Sequence, residues 1–547
     1  MLLKNDYFRN MKNLIIGFLF VSILACFGIY AFVSKENQPN PDAPTRWINP
    51  EFSKAKSSEI IVSLIDSNVT CVKNSNNILP LNDLNVKSAF ISLGGNSQSF
   101  VQRIQEFSDG KFVQIFQTSQ LNILDSIQAD RIVVSLHPSS PDSLNIENWV
   151  LDGLRKIPEG KERILVVFGN LPRSAARWVS NFDAIVFAPE NHPIMQDIVA
   201  QKIMGSYGIN GILKRSILEF KAGQGIAISS NGRLKFNSPE QLGMKSQEFE
   251  RIDQIAKEGI QAGAYPGCQI VVAVKGSIVY QKSFGNYTYD SNSSKVSNHS
   301  LYDIASITKI AASTLMTMKL FHEQKIDLDK NLKNYIPEIT KETPYGNIVI
   351  KEMMAHQAGL EAFIPFYKYT LTDGKPTAPW YKEKKDNVYS LEVAEALYLK
   401  GAYKDSMYAR ILSNPLKEKK YLYSDLCYYF MQPILEKITG ESQASYVRNH
   451  IYKLMGLRYI NYKPLNFYNK SQIVPTEDDQ YFRKQLLCGH VHDPGAAMLG
   501  GVGGHAGLFS NATDLASIMQ LFLNHGKYAG NQFFDEKTIS YFTSAPY

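Results

Sequence analysis

A chain of 547 residues is too long for one hydrophobic core, so more than one domain is expected. It is 44% apolar and 20% charged, a globular composition that excludes a disordered or low-complexity protein. Its net charge of +7 has no dense Lys/Arg tract behind it, which excludes a nucleic-acid partner and leaves a solvated basic surface.

Leu14 to Val33 is apolar throughout and follows Lys4, Arg9 and Lys12. About 20 such residues can cross a bilayer as a helix, and basic residues before it stay inside. The reading for residues 1–35 is therefore a signal peptide or membrane anchor, with a preference for an uncleaved anchor. Residues 36–56, polar and containing proline, read as a linker. The rest of the chain would face the periplasm or the exterior of a bacterial cell. The five cysteines, Cys26, Cys71, Cys268, Cys427 and Cys488, form no C-x-x-C pair and no zinc-like cluster with histidine. No disulfide framework, metal or cofactor is expected.

Residues 57–236 alternate β-branched runs with helical stretches. Ala89–Leu93, Arg131–Leu136, Ile164–Phe168 and Ala184–Phe187 suit strands buried on both faces, as in a parallel sheet. The segments 97–107 and 191–204 are long enough for crossover helices. This predicts an α/β sandwich domain. Val69-Thr70-Cys71-Val72-Lys73-Asn74 with Ile78-Leu79-Pro80-Leu81, and later Gly205-Ser206-Tyr207-Gly208-Ile209-Asn210-Gly211, resemble the C-terminal α/β domain of glycoside hydrolase family 3. In that family the catalytic aspartate sits in a separate barrel that comes first. Only anchor and linker precede this region here, so the resemblance implies a scaffold or sugar-contacting remnant without glycosidase activity.

Ser238-Pro239-Glu240 marks a second boundary, and residues 237–547 form the next domain. Gln247 to Ala262 has helical periodicity. Gln269–Val274 and Ile278–Phe284 flank Lys275-Gly276-Ser277, a hairpin signal. A helix, a hairpin and then a long helical region predict an α+β domain.

Ser306-Ile307-Thr308-Lys309 carries the chemistry. A lone S-x-x-K is weak, and Ser53-Lys54-Ala55-Lys56 also matches it by chance. After Ser306, however, Ile307, Ile310, Ala311, Leu315 and Met318 recur with helical period. Asp303 and Ser306 suit a helix N-terminus. Residues i and i+3 share a helix face, so the Lys309 amine can reach the Ser306 hydroxyl. A serine needs such a neighbour to become a nucleophile. Helix N-terminal N–H groups favour a developing oxyanion.

Leu301–Lys309 resembles the nucleophile segment of the β-lactamase-related serine hydrolases, which include class C β-lactamases, D-alanyl-D-alanine carboxypeptidases and esterases. Pro266-Gly267-Cys268, the hairpin and His356-Gln357-Ala358-Gly359-Leu360 follow that family's order. The resemblance runs from about Gly243 to the chain end. Tyr423-Ser424-Asp425 stands where the family has Y-x-N, which implies Tyr423 as general base beside Ser306 and Lys309, and Asp425 as a substrate-binding residue. The carboxylate of Asp425 favours a charged Lys309, which shifts base duty toward Tyr423. It also lacks the amide donors of asparagine, so ester or peptide hydrolysis is expected over β-lactam recognition.

The family's third element, K-T-G or H-T-G, lies on an edge strand. His505-Ala506-Gly507 is read instead as part of a glycine-rich segment, 499–510, that leads into a helix at Thr513–Phe522. Tyr547 comes too early to include the third element, so the chain is expected to be C-terminally truncated and the hairpin to lack sheet partners. The fold class expected is therefore multidomain: a membrane segment, an α/β sandwich, then an α+β serine β-lactamase-like domain. The function expected is a serine acyl hydrolase acting on cell-envelope peptides or esters. The alternatives are a carbohydrate-active or carbohydrate-binding protein, and a binding protein made catalytically dead by truncation.

Overall fold

The computed structural model describes residues 67–139, 144–158 and 162–544. Among them, β1 (Thr70–Asn74), β2 (Ser88–Gly94), β3 (Lys111–Ile115), β4 (Arg131–His137), β5 (Glu162–Phe168) and β6 (Ala184–Ala188) form one six-stranded sheet. Its order is β1-β6-β5-β4-β2-β3; β2 to β6 run parallel and β1 is an antiparallel edge. Side chains alternate between its faces. Ile164, Val166 and Phe168 enter one apolar cluster, Leu165 and Val167 the other. Burial on both faces is why these strands read as unbroken apolar runs. Helices α1 (Gln98–Gln105) and α3 (Pro193–Ile203) pack together against one face, and α2 (Asn148–Arg155) covers the other.

The hairpin forms as read. β8 (Gly267–Val274) and β9 (Ser277–Gly285) are joined by Lys275 and Gly276, both at positive φ, the conformation of a type I′ turn. It does not lack partners. β7 (Lys235–Phe236) pairs in parallel with β9, giving the order β7-β9-β8. Leu234, Phe236 and Ile278 belong to the same apolar cluster as Ile164 and Phe168, so one core runs from the first sheet into the second. Arg233, just before β7, is buried. Its guanidinium donates to the carbonyls of Leu81 (2.5 Å), Met204 (2.6 Å) and Asn82 (2.6 Å).

Helix α4 (Glu250–Gln261) packs on β9. Beyond it, β10 (Tyr302–Asp303) and β11 (Ile460–Tyr462) flank β12 (Leu508–Ser510) in a small antiparallel sheet. The largest core surrounds a helical run: a π-helical turn at Lys309–Thr314, then α5 (Leu315–His322), with α6 (Leu426–Thr439) beside it. Helices α7 (Pro494–Met498) and α8 (Ala512–Leu523) follow, α8 crossing β8. Cys71, Cys268, Cys427 and Cys488 are free thiols.

One part of the expected fold class is corrected. No described helix is long and apolar enough to cross a membrane. Helix α6, with 14 residues, rises only about 21 Å, short of the about 30 Å of a hydrocarbon core. Leu14–Val33, on which the membrane segment rested, lies outside the described residues, as does Ser53–Lys56. What the described residues show is an α/β fold in which the six-stranded sheet shares its core with the three-stranded β7-β9-β8 sheet.

His137, at the end of β4, is fully buried. Its ring stacks on Phe168 at 4.7 Å, with Nδ1 2.8 Å from Asn191 Oδ1 and Nε2 2.9 Å from Ser135 Oγ. Burial pushes its pKa down to about 4, against the opposing Asn191 bond. Between that value and the ordinary 6.5 the unfolded chain binds a proton that the folded chain refuses. Folding stability is therefore whole above pH 6.5 and falls toward pH 4, by about 3 kcal/mol over the window. Urea unfolding between pH 7 and 4.5 should show a steeper loss for the wild type than for His137→Gln. Equal slopes would remove His137 from the acid sensitivity.

Candidate active site

A strand, a sharp turn and a helix present Ser306. β10 ends at Asp303, the Ile304 N–H donates to the Leu508 carbonyl (3.0 Å), and helical bonding begins with Ile307 N–H to Ile304 O (3.0 Å). Between them Ala305 sits at φ +45°. That left-handed conformation costs a residue with a Cβ about 1–2 kcal/mol, so the turn must be held by its surroundings. Ser306 is exposed at the tip, while Thr308 and Lys309 behind it are buried. Thr308 Oγ1 accepts from the Leu508 N–H (3.1 Å), locking the helix start to β12. The π-helical turn begins at Lys309 itself, a local departure common where a helix carries function.

Lys309, 3% exposed, gathers the sequence-predicted residues around one nitrogen. Its Nζ lies 2.7 Å from Ser306 Oγ, 2.8 Å from the Tyr423 hydroxyl and 2.7 Å from Asp425 Oδ1. The His505 carbonyl is a fourth oxygen, at 3.4 Å. Burial pushes the Lys309 pKa down, but Asp425 and Tyr423 outweigh it and the net shift is upward. Lys309 thus carries an ammonium that donates to Ser306 Oγ, the Tyr423 hydroxyl and the His505 carbonyl, and is ion-paired with Asp425.

Tyr423 and Asp425 reach it from the segment just before α6, which His356 grips. His356 is at φ +58°. Its carbonyl accepts from the Leu422 N–H (3.0 Å) and its Nδ1 from the Ser424 N–H (3.1 Å). Nδ1 therefore carries no proton and Nε2 does. The ring lies 4.7 Å from that of Tyr423. Burial, then the Lys309 charge, push the His356 pKa down to about 4, so it is neutral near pH 7.

His505 is where the glycine-rich reading puts it, in the loop before β12 rather than on a strand. A Cβ at Gly504 would stand 2.3 Å from the Tyr428 carbonyl. Only glycine lets this loop approach α6 closely enough for the His505 carbonyl to face Lys309. The imidazole turns away: it stacks on Tyr429 at 4.5 Å and its Nε2 meets Asp493 Oδ1 at 2.7 Å. Asp493 also caps α7 through the Ala496 N–H (2.7 Å). Against burial, His505 and that N–H hold its carboxyl well below the usual range. Sequence reasoning missed Asp493, although Asp-Pro is a legible helix start.

Residues 252–538 match the Beta-lactamase family, and the chain belongs to that family: it is a serine hydrolase. A Salmonella paratyphi A protein named for D-alanyl-D-alanine carboxypeptidase activity is 32% identical over 333 residues, covering 56% of this chain and 71% of its own. A similarly named Salmonella agona protein is 33% identical over 334 residues, with 56% and 71% covered. The octameric penicillin-binding protein homologue from Pyrococcus abyssi aligns at 17% identity and a TM-score of 0.41. That alignment covers 55% of this chain and 62% of the Pyrococcus abyssi chain.

His356 offers a clean separation of scaffold from chemistry. In His356→Asn the amide oxygen can replace Nδ1 as acceptor and asparagine tolerates positive φ. That variant should unfold within about 1 kcal/mol of wild type. Its kcat on a chromogenic ester should nonetheless fall about tenfold, because the Tyr423 ring loses its backing. His356→Ala should lose both stability and rate. Wild-type turnover in His356→Asn would show that the ring does not position Tyr423.

Proposed function

We propose that this enzyme hydrolyses acyl bonds of cell-envelope peptides or esters through an acyl-enzyme on Ser306. The observation that carries the reading is the single Lys309 nitrogen within 2.8 Å of Ser306 Oγ, the Tyr423 hydroxyl and Asp425 Oδ1. The Ser306 oxygen attacks the substrate carbonyl. In this reading Tyr423 starts as a phenolate paired with the Lys309 ammonium, and the Ser306 proton passes to its oxygen, leaving a neutral phenol. The Ser306 backbone N–H at the helix start meets the tetrahedral oxyanion. Collapse breaks the acyl bond, and the leaving group takes the proton from Tyr423. Water then attacks the acyl-enzyme by the same path, freeing the acid and restoring the Ser306 hydroxyl.

The names of the Salmonella relatives support a peptide derived from the cell wall as substrate. Such a substrate lies outside the cytoplasm, and we place the enzyme there. The segments 69–81 and 205–211 support a kinship of residues 57–236 with the C-terminal domain of glycoside hydrolase family 3. We assign that part a scaffolding role, since every group in the reaction comes from residues 306–425. Asp425 in place of an amide supports a preference for esters or peptides over β-lactams.

Intact-mass spectrometry after treatment with a fluorophosphonate should show one adduct on the wild type and none on Ser306→Ala. Asp425→Asn should gain at least about tenfold in acylation by a penicillin, through the recovered amide donor. A folded wild type that takes no adduct would overturn the assignment of Ser306.

A further inference from the structure

The turn that carries Ser306 holds a residue with a Cβ in the left-handed region, and one carboxylate holds that turn. Asp303 Oδ1 accepts from the Ala305 N–H at 2.8 Å. Its Oδ2 accepts from the His492 N–H at 2.6 Å. The two oxygens thus join the nucleophile turn to a segment almost 190 residues further along the chain.

That distant segment is itself fixed. Arg483 and Asp479 form an ion pair at 2.6 Å with neither side chain exposed. Asp479 also accepts from the backbone N–H groups of Tyr481, Phe482 and Arg483. The rest of the guanidinium donates to the carbonyls of Val491 (2.7 Å) and His492 (2.6 Å). His492 is therefore held by its carbonyl to Arg483 and by its N–H to Asp303. The next residue, Asp493, caps α7 and binds the His505 side chain, whose carbonyl faces Lys309. One buttress reaches both the serine and the lysine.

We infer that Asp303 is a positioning residue, whose two-oxygen clasp fixes the Ala305–Ser306 turn against the Arg483-held loop and so presents the Ser306 hydroxyl to Lys309 and Tyr423. This rests on the assignment of Ser306 as nucleophile. Both carboxylate oxygens are used as acceptors, and an amide has only one. Asp303→Asn must therefore turn an NH2 group toward one of two N–H donors, breaking one arm of the clasp with almost no change in shape. Burial raises the Asp303 pKa against the two N–H bonds and the nearby His492 imidazole, and Asp493 adds to the rise. Protonation on acidification would weaken the same clasp.

The test measures the second-order rate of fluorophosphonate labelling, and kcat and KM for p-nitrophenyl acetate, per folded molecule. Asp303→Asn should label about 10- to 100-fold more slowly and lose kcat by a similar factor. Its KM should stay within about threefold, a split that simple loss of folded protein does not produce. Ala305→Gly should rescue it in part, since glycine adopts φ +45° without a tether. The Asp303→Asn loss should be at least about threefold smaller in the Ala305→Gly background, read as a double-mutant cycle. If Asp303→Asn does not fold, Asp303→Ser, which keeps one acceptor, takes its place with the same expectations. A wild-type labelling rate in the folded variant, or an undiminished loss in the glycine background, would overturn the inference. A wild type that is never labelled would instead overturn the assignment of Ser306.

Discussion

A buried cation surrounded by oxygens is the constraint around which this site is built. An ammonium removed from water loses several kcal/mol of hydration unless charge and hydrogen bonds replace it. Lys309 finds that replacement only because three separate parts of the chain converge on it. The helix start brings Ser306, the segment before α6 brings Tyr423 and Asp425, and the glycine-rich loop brings a carbonyl. Each partner explains a local oddity. Ala305 and His356 occupy left-handed backbone, and Gly504 sits where no side chain fits. The strain is local, and the core around α5 and α6 holds it in place.

The same cation divides the chemical labour. A neutral lysine would compete with Tyr423 for the serine proton. In the proposed reaction Asp425 removes that ambiguity by keeping Lys309 charged, which leaves the lysine to orient and the tyrosine to accept. Behind this front row stand residues that touch no substrate in the proposed reaction. His356 backs the tyrosine ring, and the Asp493–His505 pair steadies the loop whose carbonyl meets Lys309. Each acts by narrowing where the reacting oxygens can be.

Much of this was legible in the sequence, and the exceptions share a physical cause. The parallel strands were readable because burial on both faces leaves only apolar residues, as in Ile164–Phe168. The hairpin was readable because Lys275-Gly276 demands positive φ. Ser306 and Lys309 were readable from local spacing, and Tyr423 from the resemblance of Tyr423-Ser424-Asp425 to the family's Y-x-N. What escaped depends on pairs far apart in sequence. Asp303 and His492 are separated by almost 190 residues, and no local pattern announces that a carboxylate will find a distant N–H. The two-residue strand β7 escaped because so short a segment has no period, and the hairpin was expected to lack partners because the family's later strands were read as missing. The expectation of a membrane segment came from the uncharged run Leu14–Val33 behind Lys4, Arg9 and Lys12, and no described helix is long and apolar enough to cross a membrane.

The joint around Arg233 has a bearing on how such a protein can be taken apart. One guanidinium grasps three carbonyls, β7 lies against the hairpin, and a shared apolar cluster continues beneath both. A chain severed near residue 236 would leave a strand edge bare on one fragment and an apolar cluster cut open on the other. The boundary visible in the amino-acid pattern is therefore not a seam in the fold, and the α/β sheet acts as the foundation on which the hydrolase hairpin stands.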